Sequence, residues 1–175
     1  IINGNSAGSQ GGGMYINENS NPIITDVTIT GNSANNGGGG IKISYSSPTF
    51  TDVTILGNYG GDGGGMYLYW SSPTLIDVTI SGNSASNGGG IYSTSSYNIT
   101  DITITSNTGY GIYVSGGNPS ISQSNIAYNG SGVYNANNAN TVTVINNYWG
   151  DSSGPYHPSQ NSSGEGDSTN VFVNV

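Results

Sequence analysis

One motif recurs along the whole chain: a short apolar segment, a small residue and then an asparagine. The recurring residues are Asn5, Asn32, Asn58, Asn83, Asn107, Asn129 and Asn147, at spacings of 27, 26, 25, 24, 22 and 18 residues. A repeat of this length is typical of a solenoid, in which each repeat forms one coil of the chain. We expect the asparagines to stack in one column, and their side-chain amides can then hydrogen-bond in series. The sequence thus predicts a structural ladder at Asn32, Asn58, Asn83, Asn107 and Asn129.

The composition agrees with a solenoid and excludes an ordinary helical domain. Glycine, asparagine and serine together occupy 82 of the 175 positions, whereas 33% of residues are hydrophobic and 6% are charged. These three residue types are poor helix formers and common in turns. Because they recur at fixed places in each repeat, they indicate the corners of successive coils.

Each repeat also has a constant internal order. A glycine-rich turn precedes a short strand, a polar turn follows and often ends in proline, and an Asp-Val-Thr-Ile segment leads to the next asparagine. Alternation with period two predicts strands with one buried face. We therefore predict an all-β fold, a single-stranded parallel β-helix of about six coils with three short strands each. Its interior is predicted to contain the columns Met14/Ile41/Met66/Ile91/Ile112/Val133 and Val27/Val53/Val78/Ile102/Val142.

The repeat ends near the C-terminus. We assign residues 1–147 to the β-helix and residues 148–175 to a C-terminal capping segment or tail. Tyr148 and Trp149 are predicted to cover the apolar end of the last coil. His157, Asp151, Glu165 and Asp167 are interpreted as solvated loop residues, since their spacing matches no metal-ligand motif.

The segments Gly-Asn-Ser-Ala, Gly-Gly-Gly-Ile-Tyr and Pro-Thr-Leu-Ile-Asp-Val-Thr-Ile resemble the right-handed parallel β-helix repeats of bacterial and archaeal surface proteins. Pectate-lyase-like proteins and the polymorphic outer-membrane proteins of chlamydiae are similar by pattern. The resemblance covers nearly the whole chain and implies a right-handed coil. It implies no single activity, because this fold is found in lyases, hydrolases, adhesins and scaffolds.

Charge and cysteine content exclude several classes of partner. One basic residue, Lys42, stands against nine acidic residues, and the formal net charge is −8. Such a chain cannot neutralise a phosphate backbone, so we expect no nucleic-acid partner, and no apolar run is long enough for membrane insertion. Without cysteine it has neither disulfides nor a thiol nucleophile. We expect an extracellular or cell-surface location.

An aromatic column is the first candidate for function. Tyr15, Lys42, Tyr67, Tyr92, Tyr113 and Tyr134 are predicted to stack on one outward face, with the Lys42 ammonium between two rings. Flat aromatic side chains suit stacking on sugar rings, although such a ladder also stabilises a sheet without a ligand. The candidate glycan-binding residues are Tyr45, Tyr67, Tyr69, Trp70, Tyr92 and Tyr97.

An acidic column is the second candidate. It contains Asp26, Asp52, Asp77 and Asp101, followed by Gln123 and Thr141. The four carboxylates are Ca²⁺ candidates, although Ca²⁺ needs six to eight oxygen ligands and solvation alone can relieve their repulsion. We predict no resident cofactor. Catalysis is not favoured, because a glycosidase needs two carboxylates in different environments and these four are equivalent.

Outward threonines form the third candidate, at Thr28, Thr54, Thr79, Thr103 and Thr143, with Thr25, Thr51 and Thr100 in a parallel row. The leading hypothesis is a non-catalytic extracellular scaffold or adhesive stalk that binds glycans through its aromatic face. The alternatives are a fragment of a polysaccharide lyase or hydrolase, an ice-binding solenoid that uses its threonine rows, and a filament or sheath subunit that self-associates end to end or laterally.

Overall fold

A computed structural model describes residues 1–170 and 173–175, and all regular secondary structure in these ranges is β-strand. Short strands from successive coils pair in parallel, which confirms the predicted β-solenoid of about six coils. Each of the first four coils passes in order through four faces. The prediction of three strands per coil therefore describes only part of the molecule.

The strands of each face follow. The first face contains β1 (Ile2–Asn3), β5 (Thr28–Thr30), β9 (Thr54–Leu56), β13 (Thr79–Ser81), β17 (Thr103–Thr105) and β20 (Asn125–Ala127). The second contains β2 (Ser6–Ala7), β6 (Ser33–Gly37), β10 (Tyr59–Asp62) and β14 (Ser84–Asn87). The third contains β3 (Met14–Asn17), β7 (Ile41–Ser44), β11 (Met66–Tyr69), β15 (Ile91–Ser93), β18 (Tyr110–Val114) and β21 (Ser131–Asn135). The fourth contains β4 (Ile23–Thr25), β8 (Thr49–Thr51) and β12 (Thr74–Ile76), then β16 (Asn98–Thr100), β19 (Ser120–Ser122), β22 (Val142–Ile145) and β23 (Val173–Asn174).

The strands of the second face are the ones that sequence patterning does not reveal. Of these, β6 reads Ser-Ala-Asn-Asn-Gly, which lacks the β-branched and aromatic residues that mark strands. The segment is extended because its backbone pairs with the coils on either side. The face ends at β14, and from there a single bridge joins Ser84 to Thr108. After that point the repeat shortens, so the later coils have three strands.

The core consists of stacked apolar columns. The predicted column from Met14 to Val133 is confirmed by the strand register on the third face. The second predicted column is correct through Ile102 but ends with Ser124, whose hydroxyl accepts a hydrogen bond from the Ile102 amide. Val142 was wrongly placed there, because it belongs to the fourth face and pairs with Val173. The Thr-Val-Thr-Val alternation of this segment has the same period as Asp-Val-Thr-Ile, so pattern alone could not separate the two faces.

The asparagine ladder forms from Asn5 through Asn129. The side-chain amide nitrogen of each ladder residue donates to the side-chain oxygen of the next, at 2.9–3.0 Å. That same oxygen also accepts a hydrogen bond from the backbone amide of the preceding ladder residue. The ladder therefore provides hydrogen-bond partners for the backbone amides of the turn and for its own side chains without water.

Asn147 was wrongly assigned to this ladder. It lies at the corner that enters the first face, where its side chain bonds the backbone of Ser124 and Ile121. Both corners combine a residue at positive φ with a following residue that points inward, and Asn146 at φ 58° supplies the first part here. Asp167 takes the seventh ladder position instead, since its carboxylate accepts from the backbone and side-chain amides of Asn129 at 2.9 and 2.8 Å.

Residues 148–170 and 173–175 lie against the last coils. Trp149 is 4% exposed and belongs to the core cluster, as expected, whereas Tyr148 is 49% exposed and lies outside that cluster. His157 is fully buried, contrary to its interpretation as a solvated loop residue. Its Nδ1 accepts from the amides of Ser159 and Gln160, so its Nε2 carries the proton and donates to the Val173 carbonyl at 2.9 Å. His157 thereby anchors β23. Residues 171–172 of the predicted capping segment lie outside the described residues.

Asp167→Asn is expected to stabilise the protein at neutral pH. Burial raises the pKa of Asp167 above its usual value, against the lowering effect of the Asn129 hydrogen bonds. The folded state thus binds a proton more readily than the unfolded state, and stability is lost as pH rises through the folded pKa. Asparagine keeps the accepting oxygen without the charge. Thermal unfolding at pH 7 should show a Tm a few degrees higher, and the gain should vanish below about pH 4, where aspartate is protonated in both states.

Candidate binding groove

The predicted aromatic column exists in the predicted register on the third face. Its C-terminal part is packed on itself, because Tyr113 stacks on Tyr92 and on Tyr134 with 5.4 Å between ring centroids. Tyr67 meets the edge of Tyr92 at 4.7 Å. Tyr67 and Tyr92 are therefore half-buried parts of a ladder, and the accessible aromatic surface lies elsewhere.

That surface lies at the corner where the third face ends. Tyr45 is 53% exposed and Trp70 is 66% exposed, on successive coils. Both occupy the left-handed backbone region, at φ 50° and 49°. A bulky residue there is unusual and costs about 1–2 kcal/mol, which glycine or asparagine would largely avoid. Tyr128 has the same exposed left-handed geometry, so what points to a role beyond folding at Tyr45 and Trp70 is their position beside surface depressions.

Three shallow depressions adjoin these two side chains. The lysine pocket, of about 380 Å³, is lined by Gln10, Tyr15, Asn17, Glu18, Lys42, Ser44, Tyr45, Tyr67 and Tyr69. The asparagine pocket, of about 290 Å³, is lined by Asn19, Asn21, Tyr45, Ser46, Ser47 and Trp70. The serine pocket, of about 400 Å³, is lined by Ser47, Trp70, Ser71, Ser72, Thr94, Ser95, Ser96 and Gly117. Tyr45 lines the first two and Trp70 lines the last two, so the three depressions are neighbours along successive coils, and we refer to them together as the groove.

A serine ladder that sequence reasoning missed supports the groove floor. The Ser71 hydroxyl accepts from the Ser46 amide at 3.3 Å, and the Ser95 hydroxyl accepts from the Ser71 amide at 2.9 Å. All three serines are 4% exposed. The signal was present in the sequence, because an aromatic residue followed by Ser-Ser-Pro occurs at residues 45–48 and again at 70–73.

Tyr97 does not belong to the groove. It is 3% exposed and lies in the core cluster, so its ring cannot contact a sugar, contrary to the prediction. Its position follows from register: Asn98 pairs with Ser120, which places Tyr97 beside Pro119 in the inward proline column. Burial strongly raises the pKa of the Tyr97 hydroxyl.

Lys42 defines the electrostatics of the lysine pocket. Its side chain is 3% exposed, and its ammonium nitrogen lies 3.0 Å from the ring centroid of Tyr67 and 5.2 Å from that of Tyr69. Burial lowers the pKa of Lys42 to about 8, against the opposing effect of the negative charge on Asp62. Burial, with smaller contributions from Tyr92, Asp62 and Tyr69, raises the pKa of Tyr67 to about 12. The Tyr45 hydroxyl, which hydrogen-bonds Tyr69, also has a raised pKa.

The acidic column occupies the corner between the fourth and first faces. Asp26, Asp52, Asp77 and Asp101 all have left-handed backbone geometry, at φ 55°, 53°, 51° and 56°. Aspartate is among the residues that tolerate this region, so the column is explained by its backbone. Gln123 and Asn146 continue it, and Thr141 was wrongly placed there. Among residues 1–170 and 173–175, no group of three or more histidine or acidic side chains is arranged to hold a metal ion.

The threonine row is in register for Thr28, Thr54, Thr79 and Thr103 on the first face. Asn125 follows Thr103, and Thr143 was wrongly included because it pairs with Ser120 on the fourth face. In the second row, Ile76 stands beside Thr51. Ice binding by these interrupted rows stays a prediction.

Comparison with known proteins agrees with this geometry. None of the described residues forms a helix with the length and apolar character needed to cross a membrane. No curated protein and no solved structure matches the chain. Residues 1–163 match the family described as a right-handed beta helix region. The chain, with its parallel coils and internal asparagine ladder, therefore belongs to the right-handed β-helix family.

Proposed function

We propose that this chain is a non-catalytic, extracellular or cell-surface scaffold that binds a polysaccharide in the groove beside Tyr45 and Trp70. The observation that carries the proposal is the placement of two large aromatic residues at positive φ, exposed, beside three neighbouring depressions. Selection for stability alone favours glycine or asparagine at such a corner. An exposed indole provides a flat apolar surface for one face of a sugar ring.

The direction of the groove favours an extended chain. The depressions follow successive coils, which lie about 4.8 Å apart along the solenoid axis. This spacing is close to the length of one sugar unit in an extended polysaccharide. Ser47, Ser72 and Ser96 are exposed along the groove and offer hydroxyl groups to the ligand. An extended ligand thus meets repeated hydrogen-bonding groups beside each aromatic platform.

A binding role also agrees better with the charged groups than catalysis does. The four stacked aspartates share one backbone environment, whereas acid–base chemistry on a glycosidic bond requires carboxylates with different proton affinities. Lys42, the only basic side chain of the chain, lies on the third face, away from the acidic corner. We therefore assign the protein no hydrolytic or lyase activity.

Trp70→Asn is expected to separate binding from stability. Asparagine is well suited to φ 49°, so the Tm should stay the same or rise by a few degrees. Affinity for the bound polysaccharide should fall at least about tenfold, since a central aromatic contact contributes about 2 kcal/mol or more. The measurement is affinity electrophoresis of the parent and the variant in gels that contain cellulose derivatives, xylan, mannan or galactan.

Tyr128→Asn is the matched control. Tyr128 is 67% exposed at φ 59°, like Trp70, but it lies at the corner that follows β20 of the first face and is not among the residues that line the groove. It should show a similar change in Tm with no change in electrophoretic retardation. The proposed function would be contradicted if none of the polysaccharides retarded the parent protein. It would also be contradicted if both variants lost affinity equally.

A further inference from the structure

We propose that the lysine pocket is a subsite for an anionic sugar unit, whose carboxylate or sulfate group pairs with the ammonium of Lys42. The proposal rests on the proposed function of the groove and adds a chemical class to it. The lysine pocket adjoins the asparagine pocket at Tyr45, so a sugar in it can belong to a chain that continues past Trp70.

The first argument is the state of Lys42. Its side chain is 3% exposed, and its ammonium makes neither a hydrogen bond nor an ion pair with the described residues. Buried charges in proteins are normally paired, because the loss of hydration is costly. The Tyr67 ring below the ammonium compensates part of this cost, while the N–H donors have no acceptor among the described residues and keep access to the depression. A cation in this state, at the wall of a depression, is complementary to an anion that enters from solvent.

The second argument is the chemistry around the ammonium. Gln10, Asn17 and Ser44 bring amide and hydroxyl groups to the same depression, and four tyrosines provide ring faces and hydroxyls. The volume of about 380 Å³ is of the size that holds one small ligand. Amides, hydroxyls and aromatic rings suit a hydroxylated ring, and the single cation suits one negative group on it.

Two carboxylates oppose an anion at this place. Glu18 is exposed at the rim, where it accepts a hydrogen bond from the Asn17 side chain at 3.3 Å. Asp62 lies on β10 and accepts from the Asn87 amide at 2.9 Å. The other titratable groups that line the pocket are the hydroxyls of Tyr15, Tyr45, Tyr67 and Tyr69. Pairing with Lys42 must therefore exceed the repulsion from Glu18 and Asp62. Of the two, Glu18 lines the pocket, so its substitution is the one expected to act in the opposite direction to that of Lys42.

The test uses matched ligands on the full chain. Trisaccharides of β-1,4-linked glucose, mannose and galactose are compared with their C6-oxidised and 6-sulfated forms by titration calorimetry. For at least one of the three trisaccharides we expect the anionic form to bind at least about tenfold more tightly than its neutral parent. A difference of this size corresponds to the free energy of one hydrogen bond to a charged group. The oxidised and sulfated arms distinguish a carboxylate from a sulfate as the natural group.

Two variants should change this preference in opposite directions. Lys42→Met keeps the length and apolar stem of the side chain, and we expect it to reduce the anionic-to-neutral affinity ratio to about one. Glu18→Gln removes the opposing charge at the rim and should increase the ratio about twofold. Thermal unfolding of both variants shows whether each is folded in the titration.

A second readout uses the parent protein alone. Because the chain contains one lysine, ¹³C-lysine labelling gives a single ε-methylene signal, whose titration reports the pKa of Lys42. An anionic trisaccharide should raise this pKa from about 8 by about one unit or more, and its neutral parent should not. If neutral and anionic forms bind equally and the lysine signal does not move, the subsite is wrong while the groove stands. If no trisaccharide binds and no polysaccharide retards the protein, the proposed function itself fails.

Discussion

Asn83→Leu is expected to lower the free energy of unfolding by about 4 kcal/mol, because the ladder would lose its central member. Asn83 is fully buried. Its side-chain nitrogen donates to the Ile55 carbonyl and to Asn107, and its oxygen accepts from both nitrogens of Asn58, all at 2.9–3.0 Å. Leucine has a similar volume but no polar atoms. Several buried polar groups on neighbouring coils would then lack hydrogen-bond partners, and each such group costs about 1–3 kcal/mol. Local relaxation of the structure would recover part of this cost. Urea unfolding at pH 7 measures the change.

Asn138→Leu is the control for this experiment. Asn138 is exposed and its side chain makes no hydrogen bond with the described residues. Its replacement should change the free energy of unfolding by no more than about 0.5 kcal/mol. A loss at Asn83 of the same small size would show that the ladder contributes nothing beyond filling space.

Gly64→Ala is the second substitution with a large expected effect, a loss of about 3 kcal/mol. A Cβ at this position would lie 2.5 Å from the Ser84 carbonyl oxygen and 2.7 Å from that of Gly89. Both atoms belong to the backbone of the next coil, so no side-chain rotation relieves the contact. The coils would have to separate locally, which weakens the parallel hydrogen bonds around the corner.

Two other glycines separate this contact from the intrinsic effect of alanine. Gly8 has open space and no positive φ, so Gly8→Ala should have little effect or stabilise slightly. Gly57 also has open space but sits at φ 62°, so Gly57→Ala should cost about 1 kcal/mol through backbone strain alone. Equal losses at Gly57 and Gly64 would mean that close approach of the coils is not what requires glycine at position 64.

The ladder and the third face could be predicted because each of their positions carries a distinctive residue type in every coil. Asn32 to Asn129 and the column from Met14 to Val133 need only the spacing of the repeat. Errors arose where two corners use the same chemistry. Asn147 follows a residue at positive φ, as Asn129 does, but at the other corner, so counting residues could not distinguish them. The second face was missed because its strands have no strand-like composition.

The groove could be predicted only in part. Tyr45 and Trp70 were identified as outward aromatics. Nothing in the sequence shows that their backbone is left-handed or that they line neighbouring depressions. Tyr97 was assigned to the same surface because its residue type matched, whereas its coil register places it in the proline column. Burial of Lys42 likewise depends on the rings of Tyr67 and Tyr69, which both belong to the next coil.

The amino-acid sequence by itself determined that this chain forms a parallel β-solenoid. When the repeats stack, residues at the same position of successive repeats contact each other, so a repeated residue type becomes a column of like side chains. It also determined which residues make the ladder and most of the core. Only the tertiary structure decided which strand occupies each face in the last coils, that Asp167 ends the ladder, and which aromatics remain accessible. The physical reason is that these outcomes depend on register and backbone dihedral angles at the corners. A one-residue shift there exchanges an inward side chain for an outward one while leaving the sequence pattern almost the same.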